Sequence, residues 1–284
     1  MKTPLLLACL LFTQSAALAE LKTDIEFAKV GDISLTLDAN IPDGKGPFAT
    51  VILVHGGGFI NGTKTSYIKP LFEPLTKANF TWFTINYRLA PKHRWPACAD
   101  DVERAIRWVK AHATEYKADP ERIAIVGESA GGHLVSYVGV RGKDDTSVAA
   151  VVPIYAPHDL EFQVTSRNTL GRSMTALFGL TDLNDKTWKT LRSASANTYF
   201  SKGLPPFLLI HGTKDAAVPY EQSVKFQKQT QALGNTCDLI TIPDGAHGMG
   251  SWEKAHPEYK DQLIDWLRKT LGEISRVRTR DGSP

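Results

Sequence analysis

Six short, largely apolar runs recur along the chain: residues 50–54 (TVILV), 80–85 (FTWFTI), 122–126 (RIAIV), 148–154 (VAAVVPI), 207–210 (FLLI) and 238–242 (DLITI). A strand with one wet face alternates polar and apolar residues. A strand that is apolar at consecutive positions has both faces covered. The segments between the runs carry helical spacing instead. Val102, Ala105, Ile106, Val109, Ala113 and Tyr116 fall on one face behind Pro96, as do Leu134, Val135 and Val138. Val224, Gln227 and Leu233 repeat the pattern less cleanly, and Leu263, Trp266, Leu267 and Leu271 close it. Strands alternating with helices predict an α/β fold, a mostly parallel sheet with helices on both faces. Residues 24–41 alternate loosely about Gly31-Asp32 and read as a hairpin in front of it. With 42% hydrophobic and 22% charged residues in 284, a large core is available, and disorder, collagen or a disulfide-stapled miniprotein is excluded.

One interval breaks the rhythm. Residues 156–203 separate two consecutive strands and hold Phe162, Phe178, Trp188, Tyr199 and Phe200. An insertion of that length reads as a helical cap over a binding site at the carboxyl edge of the sheet.

The first nineteen residues read as an address. Lys2 gives a positive start, Leu5 to Phe12 is an unbroken apolar run, and Ala17-Leu18-Ala19 offers a signal-peptidase site. We expect cleavage after Ala19 and a secreted or periplasmic protein, residues 20–284 forming a single domain. The apolar run is too short to span a bilayer, which takes about twenty residues, so no membrane attachment is expected of the mature form. Cys98 and Cys237 then remain, and they read as two separate small hydrophobes. Asn61-Gly62-Thr63 and Asn79-Phe80-Thr81 match the glycosylation sequon. The formal charge of +3 is spread without a basic block, which argues against a nucleic-acid partner.

The chemistry concentrates in four loops, each at the carboxyl end of an expected strand. Gly127-Glu128-Ser129-Ala130-Gly131 follows RIAIV and precedes a helix. In that setting G-x-S-x-G is a sharp turn that lifts the Ser129 hydroxyl above the sheet, at the positive end of a helix. His55-Gly56-Gly57-Gly58-Phe59 follows TVILV, and its glycines leave backbone amides unobstructed. Gly57 and Gly58, with the amide of Ala130, are the expected donors to a tetrahedral oxyanion. Asp215 follows FLLI and His247 follows residues 238–242. Serine is a poor nucleophile until a base takes its proton, and the imidazole needs a carboxylate to hold its tautomer. The order Ser129, Asp215, His247 is that of the α/β-hydrolases.

The other candidates rank lower. His133 lies one helical turn past Ser129 and reads as packing. Asp244 reads as a turn or cap, and Glu128 as a maker of local polar contacts. Phe59, His158, Trp188 and Trp252 are the candidates for substrate binding. No metal-ligand spacing occurs, so neither a metal nor another cofactor is expected.

The stretches HGGGF, NYRLAPKHRWPACADDV and GESAGGHL together resemble the hormone-sensitive-lipase-like esterases. They are also similar to the secreted acyl esterases labelled BD-FAE, of acetyl-xylan and feruloyl type. The likeness covers nearly the whole mature chain. It implies an eight-stranded α/β-hydrolase sheet in which Tyr87, Arg88, Pro91 and Pro96 brace loops rather than react. It places Cys98 and Cys237 too far apart to pair. The lipase-like members carry a helical cap ahead of their first strands, whereas residues 20–54 here read as strands. A pocket roofed by residues 156–203 alone is therefore expected. The implied function is a serine carboxylesterase acting on acetyl or feruloyl esters of plant polysaccharide. The alternatives are a general short-chain carboxylesterase, an arylformamidase and a non-catalytic receptor.

Overall fold

A computed structural model of the chain describes residues 19–277. Residues 1–18 of the expected signal, and the tail beyond Val277, lie outside the described residues. Strands β1 (Glu20–Val30) and β2 (Ile33–Ile41) form the antiparallel hairpin about Gly31-Asp32. All six apolar runs are strands: β3 (Phe48–Val54), β4 (Thr81–Ile85), β5 (Ala118–Glu128), β6 (Ala150–Ile154), β7 (Phe207–Gly212) and β8 (Cys237–Ile242). They join in one eight-stranded sheet of order β1-β2-β4-β3-β5-β6-β7-β8. β3 to β8 pair in parallel, and β2 runs antiparallel to β4.

The two-faced burial behind the apolar runs is visible in β3. Ile52 and Val54 enter one core while Val51 and Leu53 enter the other, and all four are fully buried. Among the described residues there are eight α-helices: α1 (Phe72–Lys77), α2 (Ala97–Ala111), α3 (Ala130–Arg141), α4 (Leu160–Thr165), α5 (Gly171–Phe178), α6 (Asp185–Ala194), α7 (Glu221–Ala232) and α8 (Tyr259–Val277). Residues of α2 and α3 pack in the first core, and those of α1 and α8 in the second. In this order the connection after β3 runs to β4 on one side, and the connection after β5 runs to β6 on the other. The crevice above such a reversal is where open parallel sheets bind ligands. The glycine loop after β3 and the Ser129 turn after β5 flank it.

Two helical readings shift. α2 ends at Ala111, so Ala113 and Tyr116 lie beyond it, although both are buried. α7 turns Gln222, Ser223, Phe226 and Thr230 inward and leaves Val224 exposed. Its inner face is polar because it serves hydrogen bonds. Ser223 Oγ sits 2.8 Å from His211 Nδ1, and Gln222 Nε2 donates to Asp159 O at 2.8 Å. Cys98 in α2 and Cys237 in β8 are separate, buried and free.

Asp101 in α2 is fully buried and ties down the loop that follows β4. It accepts from Arg88 Nε at 2.8 Å, Arg88 Nη2 at 2.8 Å, the Arg88 backbone N–H at 2.9 Å and Arg104 Nη1 at 2.9 Å. Next to it, the Tyr87 hydroxyl donates to His55 O at 3.0 Å. Both residues brace, as the resemblance implies. Asp101→Ala strands the mostly buried Arg88 guanidinium without a counter-charge. We predict a loss of about 3 kcal/mol or more in urea unfolding, against little change for Asp100→Ala.

Candidate active site

Ser129 is the hinge between β5 and α3. Its backbone sits at φ 53° and ψ −116°, a conformation costly for a residue with a Cβ. The contacts around it hold it there. Its N–H donates to Ile154 O at 2.9 Å, and its carbonyl accepts the first helical bond, from His133 N, at 2.9 Å. Gly131 shows why the turn needs glycine, since a Cβ there would overlap the carbonyl oxygens of Val54 and His55.

His247 and Asp215 arrive from neighbouring strand ends. His247 Nε2 lies 3.0 Å from Ser129 Oγ, and Nδ1 lies 2.7 Å from Asp215 Oδ2. The carboxylate fixes the tautomer: Nδ1 donates, which leaves Nε2 to accept from the hydroxyl. Asp215 Oδ1 accepts from Ala217 N and Val218 N, both at 2.8 Å. His211 Nε2 faces Asp215 Oδ2 at 3.3 Å and Val218 O at 3.0 Å; the carbonyl can only accept, so Nε2 carries the proton. Burial alone would raise the Asp215 pKa. The hydrogen bonds from His211 and His247, the His247 charge and the Val218 N–H outweigh it and hold the carboxyl well below its ordinary range. Asp244, the competing acid, is exposed and pairs with Lys214 at 2.8 Å.

The glycine loop is pinned peptide by peptide. His55 O and Gly56 O accept from the Tyr87 hydroxyl, and Gly56 O also accepts from His55 Nδ1 at 2.8 Å. Gly56 N–H donates to Glu128 Oε1. Gly57 O accepts from Ile60 N at 3.2 Å and Asn61 N at 3.0 Å. In a trans peptide the N–H points opposite to the carbonyl. With the Gly56 and Gly57 carbonyls turned into the loop, the N–H groups of Gly57 and Gly58 turn away from it. Among the described residues neither amide has a partner, nor does that of Ala130, and all three residues line one cavity with Ser129 and His247. Gly57 takes φ 96°, which only glycine adopts freely.

That cavity encloses about 830 Å³. Gln163, Arg167, Leu170 and Met174 of the 156–203 insertion form one wall. The roof is not the insertion alone, contrary to the sequence expectation. Thr65, Tyr67, Lys69 and Pro70 after the glycine loop form a second wall, and Met249 and Gly250 a third. Of the four candidates for substrate binding, Phe59 lines the cavity, but it is almost fully buried and packs edge-on against His133 at 5.5 Å. The other three do not line it. His158 is buried with Nδ1 2.9 Å from Ser136 Oγ, and Trp188 is half-buried against the core. Trp252 is fully buried, and its indole N–H donates to Ala246 O at 2.8 Å, bracing the loop that carries His247. Aromatic residues in an insertion and near a site signal burial more often than ligand contact, and that is how these act.

Tyr155 and the wider role of Glu128 escape the sequence reading. Tyr155 directly follows β6, so the rule that strand ends carry the site points to it. Its ring meets His247 edge-on at 4.7 Å, and its hydroxyl is hydrogen-bonded to Glu128. Glu128 is buried, and its contacts reach well beyond the turn, to Gly56 and Tyr155. Burial pushes its carboxyl up to about 7, against the hydrogen bonds from Gly56 and Tyr155 and the His247 charge. An acid that titrates higher in the folded chain than in the unfolded one costs stability once the unfolded carboxylate ionises. The Glu128 contribution should therefore decline from about pH 4.5 to about 7 and level off above. Asp215 acts oppositely, stabilising above the ordinary carboxylate range and losing that effect only below it. Relative to the parent protein, the urea midpoint of Glu128→Gln should rise across this window, on top of a trend common to both proteins from the buried His55, His133 and His158, whose pKa values burial lowers.

The BD-FAE family model matches residues 37–230. Esterase LipC of Mycobacterium tuberculosis (strain ATCC 25618 / H37Rv) is 31% identical over 214 residues, covering 71% of this chain and 53% of that protein. The chain spans about half the length of the curated relatives it matches. Among solved structures, a truncated carbohydrate esterase from gut microbiota superposes with a TM-score of 0.80 at 24% identity, over 91% of this chain and 98% of that one. An acetyl ester-xyloside bifunctional hydrolase from Caldicellulosiruptor lactoaceticus gives 0.75 at 26% identity, over 88% and 96%. The chain belongs to the BD-FAE family and has the α/β-hydrolase fold.

Proposed function

We propose that the protein is a serine carboxylesterase, exported by its leader, that removes acetyl or feruloyl groups from plant polysaccharide. The observation that carries this reading is the line from Asp215 Oδ2 through His247 to Ser129 Oγ, with spacings of 2.7 Å and 3.0 Å, on the wall of an open cavity. His247 Nε2 takes the Ser129 proton as Oγ attacks the ester carbonyl. Asp215, held ionised, stabilises the imidazolium through Nδ1. The carbonyl oxygen gains charge where the unpaired amides of Gly57, Gly58 and Ala130 converge, and the start of α3 adds its positive end. His247 returns the proton to the departing alcohol, leaving an acyl-Ser129. Water then attacks by the same route in reverse, and acid and enzyme are released.

The polysaccharide assignment draws on the named activities of the similar carbohydrate esterase and acetyl ester-xyloside hydrolase. It also draws on a cavity within the range of small-ligand sites and walled by separate loops.

Ser129→Ala should lower kcat/KM by on the order of 10⁴-fold or more without altering unfolding. A serine-directed phosphonate should add a single mass label, at Ser129. Labelling elsewhere, or an active alanine variant, would refute the assignment.

Acyl preference gives a second test. On this reading the acyl group sits beside the glycine loop, a short or planar one is accepted, and a long chain leaves methylenes wet at about 0.8 kcal/mol each. With p-nitrophenyl esters, kcat/KM should peak at short chains, and acetylated xylan or methyl ferulate should be hydrolysed. Rates that climb steadily to long chains, with no acetate or ferulate released, would overturn the substrate class.

A further inference from the structure

The cavity wall is electrically one-sided. Lys69, Arg167 and Arg172 line it, while Glu128 is the one carboxylate among its described lining residues. Glu128 is almost fully buried and already engaged by Gly56 N–H and Tyr155. None of the three cations forms an ion pair among the described residues; Arg167 Nη2 instead donates to Ala216 O at 3.0 Å and to Ala217 O. α5 starts on the same wall, with no acidic residue in its first turn and no side-chain cap. Its positive end therefore adds to the field of Arg172. Three like charges around one cavity repel each other unless an anion joins them.

The segment that carries Lys69 offers something more. Tyr67 is 57% exposed, although it lines the cavity. It is held at φ 58°, a strained backbone for a bulky residue. Its ring lies over the glycine loop, with Cε2 3.3 Å from where a Cβ on Gly57 would stand. The cationic wall reaches the same loop, since Ser173 Oγ lies 2.6 Å from where a Cβ on Gly58 would stand. A ligand at Ser129 thus meets the ring face of Tyr67 beside Lys69, and the arginines of the insertion across the same cavity.

Building on the esterase reading above, we propose that the ester is carried by an acidic saccharide. The C–H face of a sugar ring rests on Tyr67, and the carboxylate of a uronic acid sits among Lys69, Arg167 and Arg172. The tyrosine gives contact area at low entropy cost, and the arginine forks match a carboxylate.

Binding to Ser129→Ala protein tests this with two probes, linear xylotetraose and the same backbone carrying one glucuronic acid branch. In low salt the acidic probe should bind about tenfold more tightly. The gap should close in about 0.5 M NaCl and in the Lys69→Gln, Arg172→Gln double variant. Tyr67→Ala should weaken both probes. A preference unmoved by salt or by the double variant would overturn the proposal. Turnover of p-nitrophenyl acetate by the parent protein separates the two levels. Equal affinities with turnover intact overturn the acidic-saccharide inference alone. Absence of turnover overturns the esterase reading and this inference with it. A preference seen with p-nitrophenyl hemisuccinate over the acetate, but not between the oligosaccharides, overturns the placement of the charge on the alcohol side.

Discussion

The close approach of the turn after β5 to the loop after β3 is the constraint on which the rest of the site depends. Gly131 packs against the carbonyls of Val54 and His55, and Glu128 reaches across to the amide of Gly56. These contacts join two elements that are far apart in sequence and adjacent in the sheet. The distance between the Ser129 hydroxyl and the amides of Gly57 and Gly58 is thereby set by backbone packing. A group positioned in this way needs no reorganisation when charge develops on a substrate. The cost appears as a strained Ser129 and a carboxyl held in apolar surroundings.

Behind Asp215 and His247, further groups hold each one in place. Asp215 is held by two backbone amides and by His211, and His211 in turn by Ser223 of α7. The ring of His247 is flanked by Tyr155, which packs edge-on against Trp252 at 5.2 Å. Buried polar groups without partners are costly, so such chains either close completely or fail. Here they close on the inward face of α7, which explains why that helix lacks an apolar stripe.

The cavity walls follow a different logic. The sheet supplies the floor, while Tyr67, Lys69, Arg167 and Arg172 come from connecting segments that no strand constrains. Loops can change charge and shape without disturbing the core, which makes them the natural seat of substrate choice on a shared fold.

The sequence by itself determined the sheet and the candidate site residues. A strand buried on both faces must be apolar at consecutive positions, and a serine turn this tight must be flanked by glycine, so both leave a local mark. TVILV, RIAIV, Gly131, and the order Ser129, Asp215, His247 could be read for that reason. Local periodicity failed where tertiary contacts replaced apolar burial, as at Gln222 and Ser223, or where a residue is buried beyond its helix, as at Tyr116. It also failed for His158, Trp188 and Trp252, because an aromatic residue in the core and one facing a ligand look alike in one dimension. Only the tertiary structure decided that Glu128 spans to Gly56, that Tyr155 meets His247, and that three cations share one cavity. Each of these is a meeting of residues from separate loops, fixed by how the strands are ordered and not by any spacing along the chain.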